Sequence, residues 1–226
     1  REEVVAVLGD LLDRIRDVNS NWHATLVRDA AASSGFSLET VAAGLDIAME
    51  HWDSRALAAM VAKEMQSTQD NQERILHGYP LTSVVLAGAI PMPNLLSSIL
   101  PLLVGSPVLV KPSSRDSRTP GLIARCLADI DSELGQCMEV VSFPSTNQKA
   151  MSLFLSSPCV MASGSDETIF QIQNQLSPSQ CFVGYGHKFS VAVVHSSSLR
   201  QAHDLDNISH ALSIDIALWD QLGCLS

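Results

Sequence analysis

The chain has 226 residues, 46% of them apolar, a formal net charge of −10 and five cysteines. That length can bury a sizeable core in one domain with a helical appendage, and the acid excess argues against a general nucleic-acid binder, which carries a basic surface. No apolar run approaches the ~18–20 residues of a membrane span, no signal peptide is read at the start, and an odd cysteine count without CxxC spacing argues against a disulfide framework or a metal site. A reducing cytoplasm is the simplest compartment.

Residues 1–80 read as a helical segment. Val4, Val5, Leu8, Leu11, Leu12 and Ile15 recur at three- and four-residue spacing, the stripe of an amphipathic helix. The pattern predicts further helices over 21–32, closing near Gly35, and over 38–51, with Ser37 as N-cap. A fourth runs from a cap at Asp53 to Gln66. Trp22 and Trp52 read as packing anchors, ligand platforms being the alternative. The polar run over 66–74 reads as a connection.

From Leu81 the period changes. Short apolar, β-branched runs predict strands over 82–87, 108–110, 139–143, 159–162, 181–183 and 190–194. Between them fall helices over 94–104, opened by Pro91 and Pro93 and closed by Gly105, and over 120–134, 148–155 and 167–176. A last helix is predicted over 205–221. Such alternation predicts an α/β domain over 81–226, a doubly wound, mostly parallel sheet that binds ligands at the carboxyl ends of its strands.

Three loops at those strand ends suit a dinucleotide. In Ala87-Gly88-Ala89-Ile90-Pro91 a glycine permits close backbone approach and a helix amino terminus follows; a plain βα turn explains this loop equally well. Val110-Lys111-Pro112-Ser113-Ser114-Arg115 offers a cation and two hydroxyls for a ribose or phosphate, with a solvated turn as the alternative. Ala162-Ser163-Gly164-Ser165-Asp166-Glu167 resembles a phosphate-contacting turn, although it lacks the glycines of GxGxxG. Near the end, Cys224 alone among the cysteines follows a glycine at a predicted helix exit, where a thiol can be presented. A thiol beside a nicotinamide site is equipped for thioester or aldehyde redox chemistry. The other four cysteines lie in apolar segments and read as packing residues.

Five motifs share an order and spacing with a known family: Leu86-Ala87-Gly88-Ala89-Ile90-Pro91, the segment from Gly105 to Ser114, Ala162-Ser163-Gly164-Ser165-Asp166-Glu167-Thr168, Gly184-Tyr185-Gly186-His187-Lys188, and Asp220-Gln221-Leu222-Gly223-Cys224-Leu225-Ser226. From Leu81 on, the chain resembles the acyl-CoA reductases of bacterial luminescence operons, members of the aldehyde dehydrogenase superfamily. The resemblance implies that Cys224 is the nucleophile and forms an enzyme thioester, which NADPH reduces to an aldehyde. It implies that Lys111 holds the cofactor ribose and that Ser165 lies near the pyrophosphate. Gly88, Pro91, Ser113 and Gly164 belong to the same cofactor set. Ser114 falls where NAD-preferring relatives often place a glutamate, so with Arg115 it favours a 2′-phosphate and hence NADPH.

Two positions depart from the superfamily pattern. Gly184 stands where hydrolytic relatives carry a glutamate base, which favours acyl transfer over hydrolysis. Ala89 stands at an oxyanion-holding asparagine, and losing such a donor costs ~2.7–4 kcal/mol in enzymes that rely on it; the backbone N–H of Cys224 remains as a donor. His187, beside Gly186, is an accessory candidate for proton transfer or, equally, for a structural or cofactor-positioning role. The family's separate catalytic domain follows its nucleophile, so the sequence reads as a cofactor-binding fragment. The implied partner is a fatty acyl-CoA or acyl-carrier thioester, with an acyl-transferring protein and a homo-oligomer left open. Two other readings stay open: a degenerate binding module, and another acylating reductase of the superfamily.

Overall fold

The computed structural model describes residues 2–66, 77–199 and 202–222. They fall into two compact units, one up to Gly186 and one from His187 onward.

The first unit opens with α1 (Glu2–Arg16), α2 (Asn21–Ser34), α3 (Leu38–Met49) and α4 (Ser54–Gln66). Most of the stripe on α1 is used: Leu8, Leu11 and Leu12 are entirely buried, with Ile15 beside them, while Val4 and Val5 are half-buried. Local chemistry sets the boundaries. The Ser20 hydroxyl accepts from Trp22 N at 3.1 Å, Ser37 from Thr40 N at 3.1 Å, and Asp53 Oδ1 from Ala56 N at 2.7 Å. Gly35 ends α2 in a left-handed conformation, φ +85°. Trp22 and Trp52 are both half-buried.

Five strands follow: β1 (Thr82–Val85), β2 (Val108–Lys111), β3 (Met138–Val140), β4 (Cys159–Ser163) and β5 (Cys181–Tyr185). All pair in parallel, in the order β3-β2-β1-β4-β5. The connections are α5 (Pro91–Leu103), α6 (Thr119–Ile130), α7 (Ser132–Gly135), α8 (Gln148–Phe154) and α9 (Asp166–Gln173). Central β1 is buried along its whole length. On one face Val85, Val160 and Ala162 join Phe154, Leu155 and Ile172 in a single core cluster. Side chains alternate along a strand, so Val84 and Val110 point to the other face. There α5 and α6 pack on the sheet and in turn receive α1.

Several predicted boundaries need correction. The helix predicted over 120–134 is two helices. Asp131 is extended (φ −145°, ψ 111°) and its carboxylate accepts from Glu133 N and Leu134 N, starting α7. A Cβ on Gly135 would meet Ala128 Cα at 2.5 Å, so the glycine lets α7 lie directly on α6. The third strand stops at Val140, which leaves Ser142 and Phe143 in a loop. The predicted sixth strand over 190–194 does not form. Phe189, Val191 and Val193 keep the alternation, yet they are 89%, 83% and 88% exposed, and no ladder among the described residues pairs this segment. Alternation marks a strand only where a partner supplies hydrogen bonds.

The second unit holds a short 3₁₀ turn at Ser196–Leu199, α10 (Ala202–Ala217) and a 3₁₀ turn at Leu218–Gln221. The last predicted helix therefore stops at Ala217. Trp219 (φ +57°) and Asp220 (φ +49°) are left-handed, a conformation that costs roughly 1–2 kcal/mol per non-glycine residue. Among the described residues, no helix is long and apolar enough to cross a membrane.

Candidate functional site

Chain order along the sheet reverses between β1 and β4: from β1 the strands run outward to β2 and β3 on one side, and to β4 and β5 on the other. In such sheets the crevice beyond the carboxyl ends of the strands at the reversal is the place for a ligand. A cleft of about 620 Å³ lies there. Its walls are the ends of four strands: Val85 to Gly88 after β1, Lys111 to Ser114 after β2, Ser142 to Ser145 after β3, and Ser163 to Ser165 after β4, with Ser117 and Thr168.

The lining chemistry is specific. Eight hydroxyl side chains (Ser113, Ser114, Ser117, Ser142, Ser145, Ser163, Ser165 and Thr168) and one lysine face the cleft, and no lining residue is acidic. Lys111 closes β2 and is only 9% exposed. Its Nζ lies 3.4 Å from Ser145 Oγ and 5.3 Å from the centroid of the Phe143 ring. That ring is fixed by an edge contact with Phe154, centroids 5.8 Å apart. Burial holds the lysine below its ordinary pKa, and among the described residues no acidic one lines the cleft. A buried ammonium with one long hydrogen bond and an aromatic face retains donors for an oxygen-rich ligand.

Ser165 caps α9: its hydroxyl accepts from Thr168 N at 3.2 Å and lies 3.0 Å from Thr168 Oγ1. Gly88 has φ +78° with no atom within 4 Å of a would-be Cβ, so its backbone faces open space in the cleft. The helix after this turn offers less to a phosphate than its position suggests. Pro91 and Pro93 each lack an N–H, which removes two of the amides of the first turn.

Of the sequence-predicted cofactor residues, the structure therefore brings Gly88, Lys111, Ser113, Ser114, Gly164 and Ser165 to one cleft. Pro91 is buried at the start of α5 and Arg115 is exposed; neither lines it. Gly186 closes the first unit, and a Cβ there would collide with Asp166 Oδ1. His187 opens the second unit, its ring edge-on to Phe189 at 4.8 Å. Cys224 lies outside the described residues. Sequence reading missed the whole third wall, Ser142 to Ser145, because the strand was carried through Phe143; the rule that ligands meet strand ends would have found it with the boundary placed correctly.

A family model described as acyl-CoA reductase (LuxC) matches residues 2–226. The chain belongs to that family.

Solved structures place the LuxC-family chain within a wider fold group. A succinic semialdehyde dehydrogenase from Streptococcus pyogenes, solved with NADP+, superposes with a TM-score of 0.74 at 13% identity, over 96% of this chain and 47% of that one. A propionaldehyde dehydrogenase from the fucose utilisation microcompartment of Clostridium phytofermentans gives 0.69 at 13%, over 99% and 49%. A benzaldehyde dehydrogenase from Corynebacterium glutamicum, NAD-dependent, gives 0.66 at 14%, over 94% and 46%. The chain thus spans just under half the length of these proteins, and at such identities the likeness is one of fold. No curated protein is a significant match.

The two positions singled out in the sequence, Gly184 and Ala89, both sit in packed surroundings. A Cβ on Gly184 would meet Ile169 Cγ2 and Phe182 Cε1, each at 2.9 Å, so a glutamate there requires both side chains to move. Ala89 is 2% exposed and part of the core. Asn94, the nearest amide in sequence, is also buried, and its Nδ2 donates to Asp116 Oδ2 at 2.7 Å.

Proposed function

We propose that this chain is the cofactor-binding part of an NADPH-dependent reductase that converts a fatty acyl thioester to the aldehyde through acylated Cys224. Family membership supports the reaction class. The observation that carries the cofactor assignment is Lys111, a buried cation in a hydroxyl-lined cleft at the sheet's switch point, where no described lining residue is acidic.

The residues fit a phosphorylated dinucleotide. NAD-binding sites of this architecture commonly place a carboxylate against the adenosine ribose, whereas here the corresponding end of β2 carries Ser113 and Ser114, with Arg115 following. Lys111 would donate to the ribose hydroxyls. The Ser165 hydroxyl accepts at its helix cap and, with Thr168 Oγ1 as the donor in their mutual bond, turns its proton to the pyrophosphate. Gly88 and Gly164 keep the walls thin. The bound cofactor would supply a hydride.

The chain's own chemistry centres on Cys224. Its thiolate attacks the thioester carbonyl; the carbon–sulfur bond to the carrier breaks and the carrier leaves as a thiol, taking up a proton. After hydride addition, the bond to Cys224 breaks and the aldehyde departs. Thiolate suits both steps, as nucleophile and as leaving group. With glycine at 184, no side chain at that position activates water against the acyl-enzyme.

In the full-length protein, a fatty acyl-CoA and NADPH should yield aldehyde, NADP+ and free thiol in equal amounts. Cofactor binding without any NADPH oxidation across acyl thioesters would contradict this reading and favour a degenerate module.

A further inference from the structure

The turn that carries Ser113 and Ser114 into the cleft is anchored from behind by a buried acid. Asp116 is completely buried. Its Oδ2 accepts from Asn94 Nδ2 at 2.7 Å and its Oδ1 from Thr119 N at 3.2 Å. Its backbone closes the turn: Asp116 N donates to Ser113 O at 3.3 Å, and the two residues form an isolated bridge. The Ser113 hydroxyl in turn accepts from Arg115 N at 3.1 Å. Asn94, 1% exposed, sits in α5, the helix after β1. One carboxylate thus links the helix after β1, the turn after β2 and the first residue of α6.

Stability alone accounts poorly for this choice. A buried carboxylate loses its hydration, and among the described residues no ion pair involves Asp116; an apolar pair of similar volume is often at least as stable. What neutral donors on a buried carboxylate provide is direction, because each bond fixes one oxygen. Neither residue lines the cleft, while Ser113, Ser114 and Ser117 on the same turn do.

We propose that Asn94 and Asp116 are positioning residues for cofactor choice: the pair fixes the turn 113–117 so that the Ser114 hydroxyl, which lines the cleft, meets an adenosine 2′-phosphate. The proposal rests on the NADPH reading above and adds the element that sets its selectivity. A ligand without the 2′-phosphate draws less on this placement, because it has no charged group at the turn. Disturbing the pair therefore lowers NADPH affinity selectively, whereas a general loss of structure weakens NADPH and NADH alike.

The test is a set of cofactor titrations on the full-length protein, with circular dichroism to follow folding. Asn94→Asp sets two carboxylates against each other and should weaken NADPH roughly tenfold, the scale of one hydrogen bond to a charged group, leaving NADH within about threefold. The exchange Asn94→Asp with Asp116→Asn should restore NADPH binding. The amide introduced at 116 donates to the carboxylate introduced at 94, and its oxygen still accepts from Thr119 N. Should Asn94→Asp not fold, Asn94→Leu, which removes the donor without adding charge, gives the same selective loss. Equal weakening of both cofactors, or no recovery in a folded exchange variant, overturns the proposal and leaves the NADPH reading standing. Wild-type protein that shows no preference for NADPH overturns that reading, and this inference with it.

Discussion

Lys111 and Ser165 stand on either side of β1, one closing β2 and the other following β4, and both line the same cleft. They are 54 residues apart in the chain, brought together by the reversal of strand order about β1. The parallel register runs from Val85 to Lys111 on one side and from Val85 to Ala162 on the other, so β1 and β2 end level and β4 runs one residue further, to Ser163. A ligand laid across β1 meets the lysine and the serine together.

Lys111 should trade stability for binding. Burial holds its ammonium below the ordinary lysine value of 10.5, while in the unfolded chain that value is regained. Between the two values the unfolded state binds more protons, so stability rises with pH across that window, and below it the full cost of the buried charge remains. Lys111→Met should accordingly raise the thermal midpoint at neutral pH and weaken NADPH roughly tenfold or more. In wild type, cofactor affinity should fall as pH climbs through the lowered lysine value. A variant with unchanged affinity would remove Lys111 from the site.

Ser114→Glu should reverse the cofactor preference. A carboxylate at the end of β2 repels a 2′-phosphate and accepts from a free ribose hydroxyl. NADPH should weaken at least about tenfold, equivalent to ~1.4 kcal/mol, and NADH should tighten. Titration by nicotinamide fluorescence reads both. Identical affinities before and after the substitution would remove the argument from Ser114.

Much of this was legible in the sequence, and the failures are local. The α1 stripe, the caps at Ser37 and Asp53 and the left-handed stop at Gly35 follow from side-chain spacing and short-range hydrogen bonds. Five strands were found because buried parallel strands read as continuous apolar runs. The break at Asp131 was missed because its carboxylate accepts from Glu133 N and Leu134 N, a choice that an apolar periodicity running on to Leu134 conceals. The segment 190–194 has strand composition without a partner strand, a property of the fold and not of the segment. Lys111, Ser114 and Ser165 were read from their loops at strand ends, and all three line the cleft. The Asn94–Asp116 pair was not, since nothing in a sequence shows that two polar residues 22 apart share one hydrogen bond.

The most direct measurement is the site of acylation in the full-length protein. A fatty acyl-CoA is added without cofactor, the modified residue is located by mass spectrometry, and NADPH is then supplied. The thiols differ in readiness. Burial pushes Cys126 up to about 12 and also raises Cys159, so neither should compete at neutral pH, while Cys137 and Cys181 are partly exposed controls. The acyl group should sit on Cys224, be absent in Cys224→Ser with NADPH binding nearly intact, and leave as aldehyde when NADPH is added. Acylation of a different cysteine, or aldehyde formed undiminished by Cys224→Ser, would contradict the account.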